Sequence, residues 1–274
     1  MSADPHETNR AWWDERAALH PDTPLYREAI ERLRRGGDAL LPLDDEVLGD
    51  LAGLDVLHLQ CHIGTDTLSL ARRGARVTGV DFSPAAIARA GDLSQELGIP
   101  ATFVESDVVA LPQVLQADFD LVYTSYGALC WLADLGRWAE AVARFLRPRG
   151  RLVVIDSHPL ALAMAREQEA GGPALRLDWP YLQREPIRVE EQGSYADPGA
   201  ATRRSVTFEW AHGLATVVQA VVDAGLTLER LSENEAGYYP LTSGMVRSDD
   251  RLWHLPSPLR GRYPLTYTLV ARQP

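Results

Sequence analysis

Residues 54–107 constrain the fold more strongly than any other part of the chain. An apolar run at residues 54–59 leads into a loop that contains Gly64, a helical segment follows, and a second apolar run ends at Asp81. Strand, tight turn, helix, strand and terminal carboxylate are typical of the first half of a nucleotide-binding βαβ unit. The turn allows backbone N–H groups to approach a ligand closely. A carboxylate about 20 residues beyond the loop can accept hydrogen bonds from both hydroxyls of a ribose.

The alternation of strands and helices continues to both sides of that unit. A helix is expected to begin at Ser83 and Pro84 and to end at Gly98, and another is expected from Leu135 to a turn at residues 148–150. Regular alternation predicts a mainly parallel sheet with helices on both faces. The later strands are predicted at residues 101–107, 119–125, up to about 156, 226–232 and 265–271.

The segments outside this alternation predict a division of the chain into four parts. Short helices, one over residues 8–20 and one beginning after an N-cap at Thr23, form an N-terminal helical cap that either covers the site or only packs on the sheet. The connection after residue 158 is unusually long for a structureless loop, which favours a functional lid with a hairpin at 187–192 and 203–210. The predicted parts are a cap (1–40), a core (41–158), a substrate-side insertion (159–209) and a completion of the core (210–274) with a loop insertion at 235–263.

Composition excludes several classes of function. A net charge of −11 and a pI near 5.1 argue against nucleic acid as a partner. Two cysteines, Cys61 and Cys130, make neither a disulfide framework nor a metal site. The polar N-terminus lacks the apolar core of a signal peptide, and no run reaches the roughly 18 apolar residues of a membrane span. We expect a cytoplasmic protein without a membrane partner, and the sequence predicts no particular oligomeric state.

Several motifs together resemble those of the class I S-adenosylmethionine (SAM) dependent methyltransferases. They are the loop around Gly64, residues 77–84, the acidic end of the third strand, and the segments 119–126 and 146–154. The resemblance covers residues 50–158 well and the C-terminal part in outline. It implies a Rossmann-like, doubly wound α/β fold with seven strands and an antiparallel last strand. The family's first motif is acidic residue-x-Gly-x-Gly-x-Gly, and we place Gln60 at its acidic position.

The resemblance also implies a cofactor site for SAM and for its product S-adenosylhomocysteine (SAH). Asp81 should bind the ribose hydroxyls, and Phe82 should lie against the adenine unless it is a core residue. Asp107 should accept a hydrogen bond from the adenine amino group, with a backbone contact from Val108. Two residues near the methionine portion each have an alternative interpretation. His62 also fits a structural role, and helix capping alone explains Asp66. The predicted contacts in that region are Gln60, Cys61, His62, Gly64, Asp66 and Ser125.

Methyl transfer needs alignment first, and a general base only when the acceptor is a hydroxyl or a protonated amine. The predicted catalytic residues are Tyr126, after the fourth strand, His158, at the end of the fifth, and His212, before the late helix. A small molecule, aromatic or cationic, is the expected acceptor because aromatic residues are frequent near the predicted pocket. The predicted substrate contacts are Trp13, Trp131, Tyr195 and Trp210.

Two alternatives compete with a small-molecule methyltransferase. An NAD(P)-dependent oxidoreductase would require Gly-x-Gly-x-x-Gly after the first strand, and this loop holds one glycine instead of three. A non-catalytic binding protein that keeps the fold is compatible with the missing glycines, and it should bind SAM weakly or not at all.

Overall fold

The computed structural model describes residues 4–166 and 175–274, which form a sheet with helices on both faces. The helices are α1 (Pro5–Leu19), α2 (Pro24–Arg34), α3 (Pro42–Leu48), α4 (Thr65–Arg72), α5 (Pro84–Leu97), α6 (Leu135–Phe145), α7 (Pro159–Leu162) and α8 (Leu214–Asp223). The strands are β1 (Asp55–Leu59), β2 (Arg76–Asp81), β3 (Thr102–Glu105), β4 (Phe119–Ser125), β5 (Leu146–Ser157), β6 (Ile187–Glu190), β7 (Val206–Glu209), β8 (Thr227–Asn234), β9 (Ala236–Gly237), β10 (Val246–Arg247), β11 (Trp253–His254) and β12 (Thr266–Arg272).

The main sheet has seven strands in the order β3-β2-β1-β4-β5-β12-β8. The first five pair in parallel, and β12 runs antiparallel to both of its neighbours. The predicted Rossmann-like architecture with an antiparallel last strand is therefore confirmed. Because the strand order reverses between β1 and β4, a crevice opens at their carboxyl ends, where ligands bind in folds of this kind.

The core has two sides because consecutive residues of a strand face opposite ways. Leu57 packs with Trp138 of α6 and Val221 of α8, whereas its neighbour Val56 packs with Leu48 of α3 on the other side. The central strands are buried on both faces, as parallel strands covered by helices are expected to be.

The N-terminal helices and the described part of the insertion, residues 159–166 and 175–209, lie together over one end of the sheet. The Asn9 side chain of α1 pairs with the backbone of Phe208 in β7: its Nδ2 donates to the carbonyl over 2.7 Å and its Oδ1 accepts from the N–H over 2.8 Å. Glu15 accepts hydrogen bonds from the backbone N–H groups of Arg203 and Arg204. These bonds join α1 to the β6–β7 hairpin, which was predicted at this place.

Three local features of the structure differ from what the sequence predicted. Residues 148–150, predicted as a turn, lie within β5, which bulges at Arg149 (φ 65°) and then continues its pairing with β4. Helix α3 was not predicted, because seven residues give little periodic signal. The 235–263 insertion contains the small β10-β11-β9 sheet. Residues 167–174 of the predicted 159–209 insertion lie outside the described residues.

Among the residues that the structure describes, no helix is both long and apolar enough to cross a membrane.

Candidate active site

The loop after β1 carries a positive φ at every second residue: Gln60 at 55°, His62 at 47° and Gly64 at 79°. This left-handed conformation favours glycine, so these are the three glycine positions of the motif. The acidic position then falls two residues earlier, at His58, and the assignment of Gln60 to it is wrong. His58 is buried, with Nδ1 2.8 Å from Thr67 Oγ1, and burial lowers its pKa to about 3. A neutral imidazole therefore stands where the motif has a carboxylate.

A single cavity opens at the carboxyl ends of β1, β2 and β4. Asp81, at the end of β2, lines it and is 6% exposed. Its two carboxylate oxygens accept hydrogen bonds from the backbone N–H groups of His62 and Ser83, each over 2.9 Å. Burial raises the pKa of Asp81 to about 6. The carboxylate is held in one orientation by two elements, and its remaining lone pairs are available to a ligand.

One end of the cavity is formed by Phe82, Asp107 and Val108, together with His6 from α1. Asp107 Oδ1 accepts from the backbone N–H of Val109 over 2.7 Å, and Oδ2 accepts from His6 Nε2 over 2.7 Å. The hydrogen bond from His6 lowers the pKa of Asp107 below its usual value. His6 was missed in the sequence because it lies 101 residues from its partner.

The middle of the cavity contains two polar groups with spare capacity. Gln60 Nε2 donates to the Ala128 carbonyl over 2.7 Å, but its buried Oε1 has no partner among the described residues. Asp66, in the first turn of α4, lies 3.4 Å from the Ser125 hydroxyl, and burial raises its pKa to about 7. A buried acceptor without a donor is costly, so Gln60 Oε1 marks a position where a ligand donor fits.

The other end of the cavity has aromatic walls. Trp13 lies edge-to-face against Trp131, with 5.1 Å between ring centroids. The tyrosine hydroxyls here are engaged with protein groups: Tyr126 donates to Asp44 over 2.9 Å, and Tyr26 pairs with Tyr195. These bonds direct the hydroxyls to the protein and leave ring surface to line the space.

A chain of hydrogen bonds leads from this end of the cavity into the insertion. His62 Nε2 lies 2.7 Å from His20 Nδ1, and His20 Nε2 lies 2.6 Å from Ser194 Oγ. Burial lowers the pKa of His20 to about 2 and that of His62 to about 3, so both rings are neutral near pH 7. His20 gave no signal in the sequence because its partners come from two distant segments.

Comparison with known proteins agrees with this geometry. Residues 56–150 match the model of a methyltransferase domain. An uncharacterized methyltransferase of Synechocystis is 37% identical over 121 residues, which are 43% of this chain and 53% of the relative. A ubiquinone biosynthesis O-methyltransferase of Methylobacterium is 28% identical over 234 residues, 78% of this chain and 89% of the relative. The chain thus spans about half the length of the first relative and most of the second.

The fold is also shared with solved structures. A SAM-dependent methyltransferase from Mesorhizobium loti superposes with a TM-score of 0.57 at 23% identity, over 84% of this chain and 96% of the other. Residues 56–150 therefore form a methyltransferase domain, and the chain has the fold of SAM-dependent methyltransferases. The family resemblance in the sequence is confirmed, and SAM is the cofactor of the family.

One end of the cavity is acidic, with Asp81 and Asp107 in its lining. Gln60 Oε1 offers the unpaired acceptor described above. Most of the predicted site residues line the cavity: Trp13, Gln60, Cys61, His62, Asp66, Asp81, Phe82, Asp107, Val108, Ser125, Tyr126, Trp131 and Tyr195.

Gly64 does not line the cavity. It caps the start of α4, and a Cβ built on it would lie 2.9 Å from the Cβ of Ala90 and 3.1 Å from the Phe103 ring. Gly64 is therefore needed for the turn and for close packing on α5, and its contact with the methionine portion stays a prediction.

Three other predicted residues lie outside the cavity. His158 caps α7, where Nδ1 accepts from Leu160 N over 3.1 Å, and its Nε2 pairs with Glu233 at 2.8 Å. His212 donates from Nε2 to the Leu132 carbonyl over 2.6 Å. The backbone N–H of Trp210 donates to the Cys130 carbonyl over 2.8 Å. His158, His212 and Trp210 hold loops together and do not line the cavity, so this geometry does not support the predicted catalysis by the two histidines or substrate binding by Trp210.

Proposed function

We propose that this methyltransferase transfers the methyl group of SAM to an oxygen, nitrogen or carbon nucleophile of a small, predominantly aromatic acceptor. The observation that carries the proposal is one cavity with an acidic end, at Asp81 and Asp107, that is continuous with an aromatic end, at Trp13 and Trp131. The acidic end matches the ribose hydroxyls and the adenine amino group of a nucleoside, and the aromatic end matches a flat apolar ring.

The cofactor residues follow from the position of each polar group. Asp81 binds the ribose hydroxyls with the lone pairs that its two backbone donors leave free. Asp107 and Val108 bind the adenine edge, and Phe82 lies against its face. Gln60 Oε1, which lacks a donor, and Asp66, which lies 3.4 Å from the Ser125 hydroxyl, take the ammonium group of the methionine portion. Asp66 then supplies the negative charge that the acidic residue of the motif would supply and that the neutral His58 does not.

The chain itself contributes alignment and exclusion of water. SAM supplies a methyl group on a sulfonium, which is already activated for in-line displacement. Trp13 and Tyr195, from the cap and the insertion, cover the cavity, so a bound acceptor is shielded from solvent. When the acceptor carries a hydroxyl, the neutral His62 ring, which His20 orients, accepts a hydrogen bond from that hydroxyl and positions the acceptor oxygen.

The acceptor class is supported by the walls of the aromatic end. Because Tyr126 and Tyr195 bond to protein groups through their hydroxyls, they present ring surface and few free donors. A sugar or another polyol would leave its hydroxyls unpaired there, which is costly. One relative is named as a ubiquinone biosynthesis O-methyltransferase, and a phenolic acceptor is consistent with these walls.

A non-catalytic binding protein is the second candidate. It is favoured by the side chains at positions 60 and 62, which occupy space that glycines would leave open.

We also propose a cytoplasmic location and no nucleic-acid partner, supported by two free thiols, Cys61 and Cys130, and by the net charge of −11.

Calorimetric titration followed by an activity assay tests the proposal. Purified protein is titrated with SAM and with SAH, and SAH formation is then measured with catechols, phenols and aromatic amines as acceptors. Binding of both ligands with turnover of a phenolic acceptor is expected. Weak or absent binding of both ligands, without turnover of any acceptor, would refute the methyltransferase and favour the second candidate.

A further inference from the structure

The first turn of α1 reaches the end of the cavity that we assign to adenine. His6 Nε2 lies 2.7 Å from Asp107 Oδ2, and the His6 ring stands edge-to-face against Phe82, with 5.4 Å between centroids and 70° between planes. His6 lines the cavity beside these two residues. Three side chains from three separate parts of the chain therefore converge on one small space.

The position of His6 is set by fixed contacts along α1. Asp4 caps the helix by accepting from the backbone N–H of His6 over 2.9 Å. One turn further, Asn9 is bonded to β7, and Asp14 accepts from the Ser83 hydroxyl over 2.6 Å. Ser83 is the residue whose backbone N–H holds Asp81. Helix α1 is thus tied to the ribose end of the site as well as to the adenine end.

We propose that His6 is a cofactor-site residue that closes the adenine pocket and, in its protonated form, retains the cofactor through its pairing with Asp107. This role rests on the proposed function, because it requires adenine beside Phe82 and Asp107. One Asp107 oxygen can accept from both His6 and the adenine amino group, since a carboxylate oxygen has two acceptor positions. The imidazole then covers the adenine edge and slows its departure.

The charges around His6 favour its protonated form. The groups that face it are Asp107, from the loop after β3, and Asp4 and Glu7, from its own helix. Phe82 contributes no charge, and Arg10 lies 4.0 Å from Glu7. The hydrogen bond to Asp107 raises the pKa of His6 above its usual 6.5. The contribution of protonated His6 to cofactor binding is therefore fully present below pH 6.5. It is lost as the pH rises through the raised pKa of His6.

The test compares wild type with His6→Gln, and with Arg10→Gln as a control on the same helix that does not line the cavity. The affinity and dissociation rate of SAH are measured from about pH 5.5 to 8.5. At the acid end, His6→Gln should bind SAH about three- to tenfold more weakly and release it faster. The difference between His6→Gln and wild type should disappear at the alkaline end, and Arg10→Gln should behave as wild type.

A second measurement follows the His6 ring directly by NMR. Its pKa should lie above 6.5 in wild type and fall toward that value in Asp107→Asn. Equal SAH affinity in wild type and His6→Gln at every pH would overturn the inference while leaving the proposed function in place. Tighter binding by His6→Gln would also overturn it, since His6 would then compete with adenine. If wild type bound neither SAM nor SAH, the proposed function itself would fail.

Discussion

The cavity has a floor and a roof that are built in different ways. The floor consists of the strand ends that carry residues 58–66, Asp81 and Asp107, and the sheet register fixes it. The roof consists of α1 and the β6–β7 hairpin, which are joined by side chains such as Asn9 that bond to backbone groups. A floor residue is held by many backbone bonds at once, whereas a roof contact depends on a few side chains. Changes in the floor should therefore remove binding, and changes in the roof should weaken closure.

The largest effect is expected from the floor residue Asp81. Asp81→Ala removes the proposed ribose acceptor and leaves the backbone N–H groups of His62 and Ser83 without their partner. Hydrogen bonds to a charged group contribute about 1.5–3 kcal/mol each, so SAM affinity should fall about 100-fold or more. Equilibrium dialysis with labelled SAM measures this, with the exposed Asp118→Ala as control. Retention of wild-type affinity by Asp81→Ala would exclude ribose binding at Asp81.

The corresponding roof variant is Asn9→Ala. Asn9 is 2% exposed, and its loss leaves the N–H and carbonyl of Phe208 unpaired. We expect the free energy of unfolding to fall by about 2 kcal/mol and SAM affinity to fall less than in Asp81→Ala. Urea denaturation measures the first quantity, with Gln219→Ala on the exposed side of α8 as control. An unchanged unfolding curve would show that α1 and the hairpin are not joined in solution.

A variant of the floor residue Gln60 should change SAM affinity while hardly changing the free energy of unfolding. Gln60→Gly removes the unpaired Oε1 and relieves a side chain at a φ of 55°, but it loses the bond to Ala128. These terms oppose each other, so the free energy of unfolding without ligand should change by less than about 1 kcal/mol. Affinity for SAM should nevertheless fall about tenfold. Calorimetry and thermal melts of the same sample give both values, and unchanged affinity would argue against an ammonium contact.

The smallest effect concerns pH dependence. The contribution of the floor to SAM affinity should rise with pH, whereas the contribution of the roof should fall. Burial raises the pKa of Asp66 to about 7 and that of Asp81 to about 6, so these floor carboxylates lose charge below neutral pH. Affinity for the cationic SAM should increase as the pH rises through 6 and 7, whereas the His6 contribution decreases. SAM affinity measured against pH should pass through a maximum. In Asp66→Asn, SAM affinity should depend less on pH below the maximum. An unchanged pH profile in this variant would show that other groups cause the fall in affinity at low pH.

The floor was predictable from the sequence because its signals are local. A strand followed by a turn and a carboxylate identifies Asp81 without knowledge of its neighbours, and Ser83 with Pro84 identifies the start of α5. The position of His58 in the motif was not predictable, because only the backbone φ values show which residues occupy glycine positions.

The roof was predictable only as a region. An amphipathic pattern indicates α1, but it does not show that His6 meets Asp107, 101 residues away, or that His20 meets Ser194, 174 residues away. A histidine at a strand end, such as His158, looks the same in sequence whether it faces a cavity or caps a short helix.

Hydrogen–deuterium exchange with and without SAH tests most directly whether floor and roof close on the same ligand. The account predicts slower exchange with SAH at the floor amides of residues 60–66 and 81–83. It also predicts slower exchange at the roof amides of the first turns of α1. Protection of the floor without the roof would contradict closure by α1, and protection of neither would contradict a SAM site in this cavity.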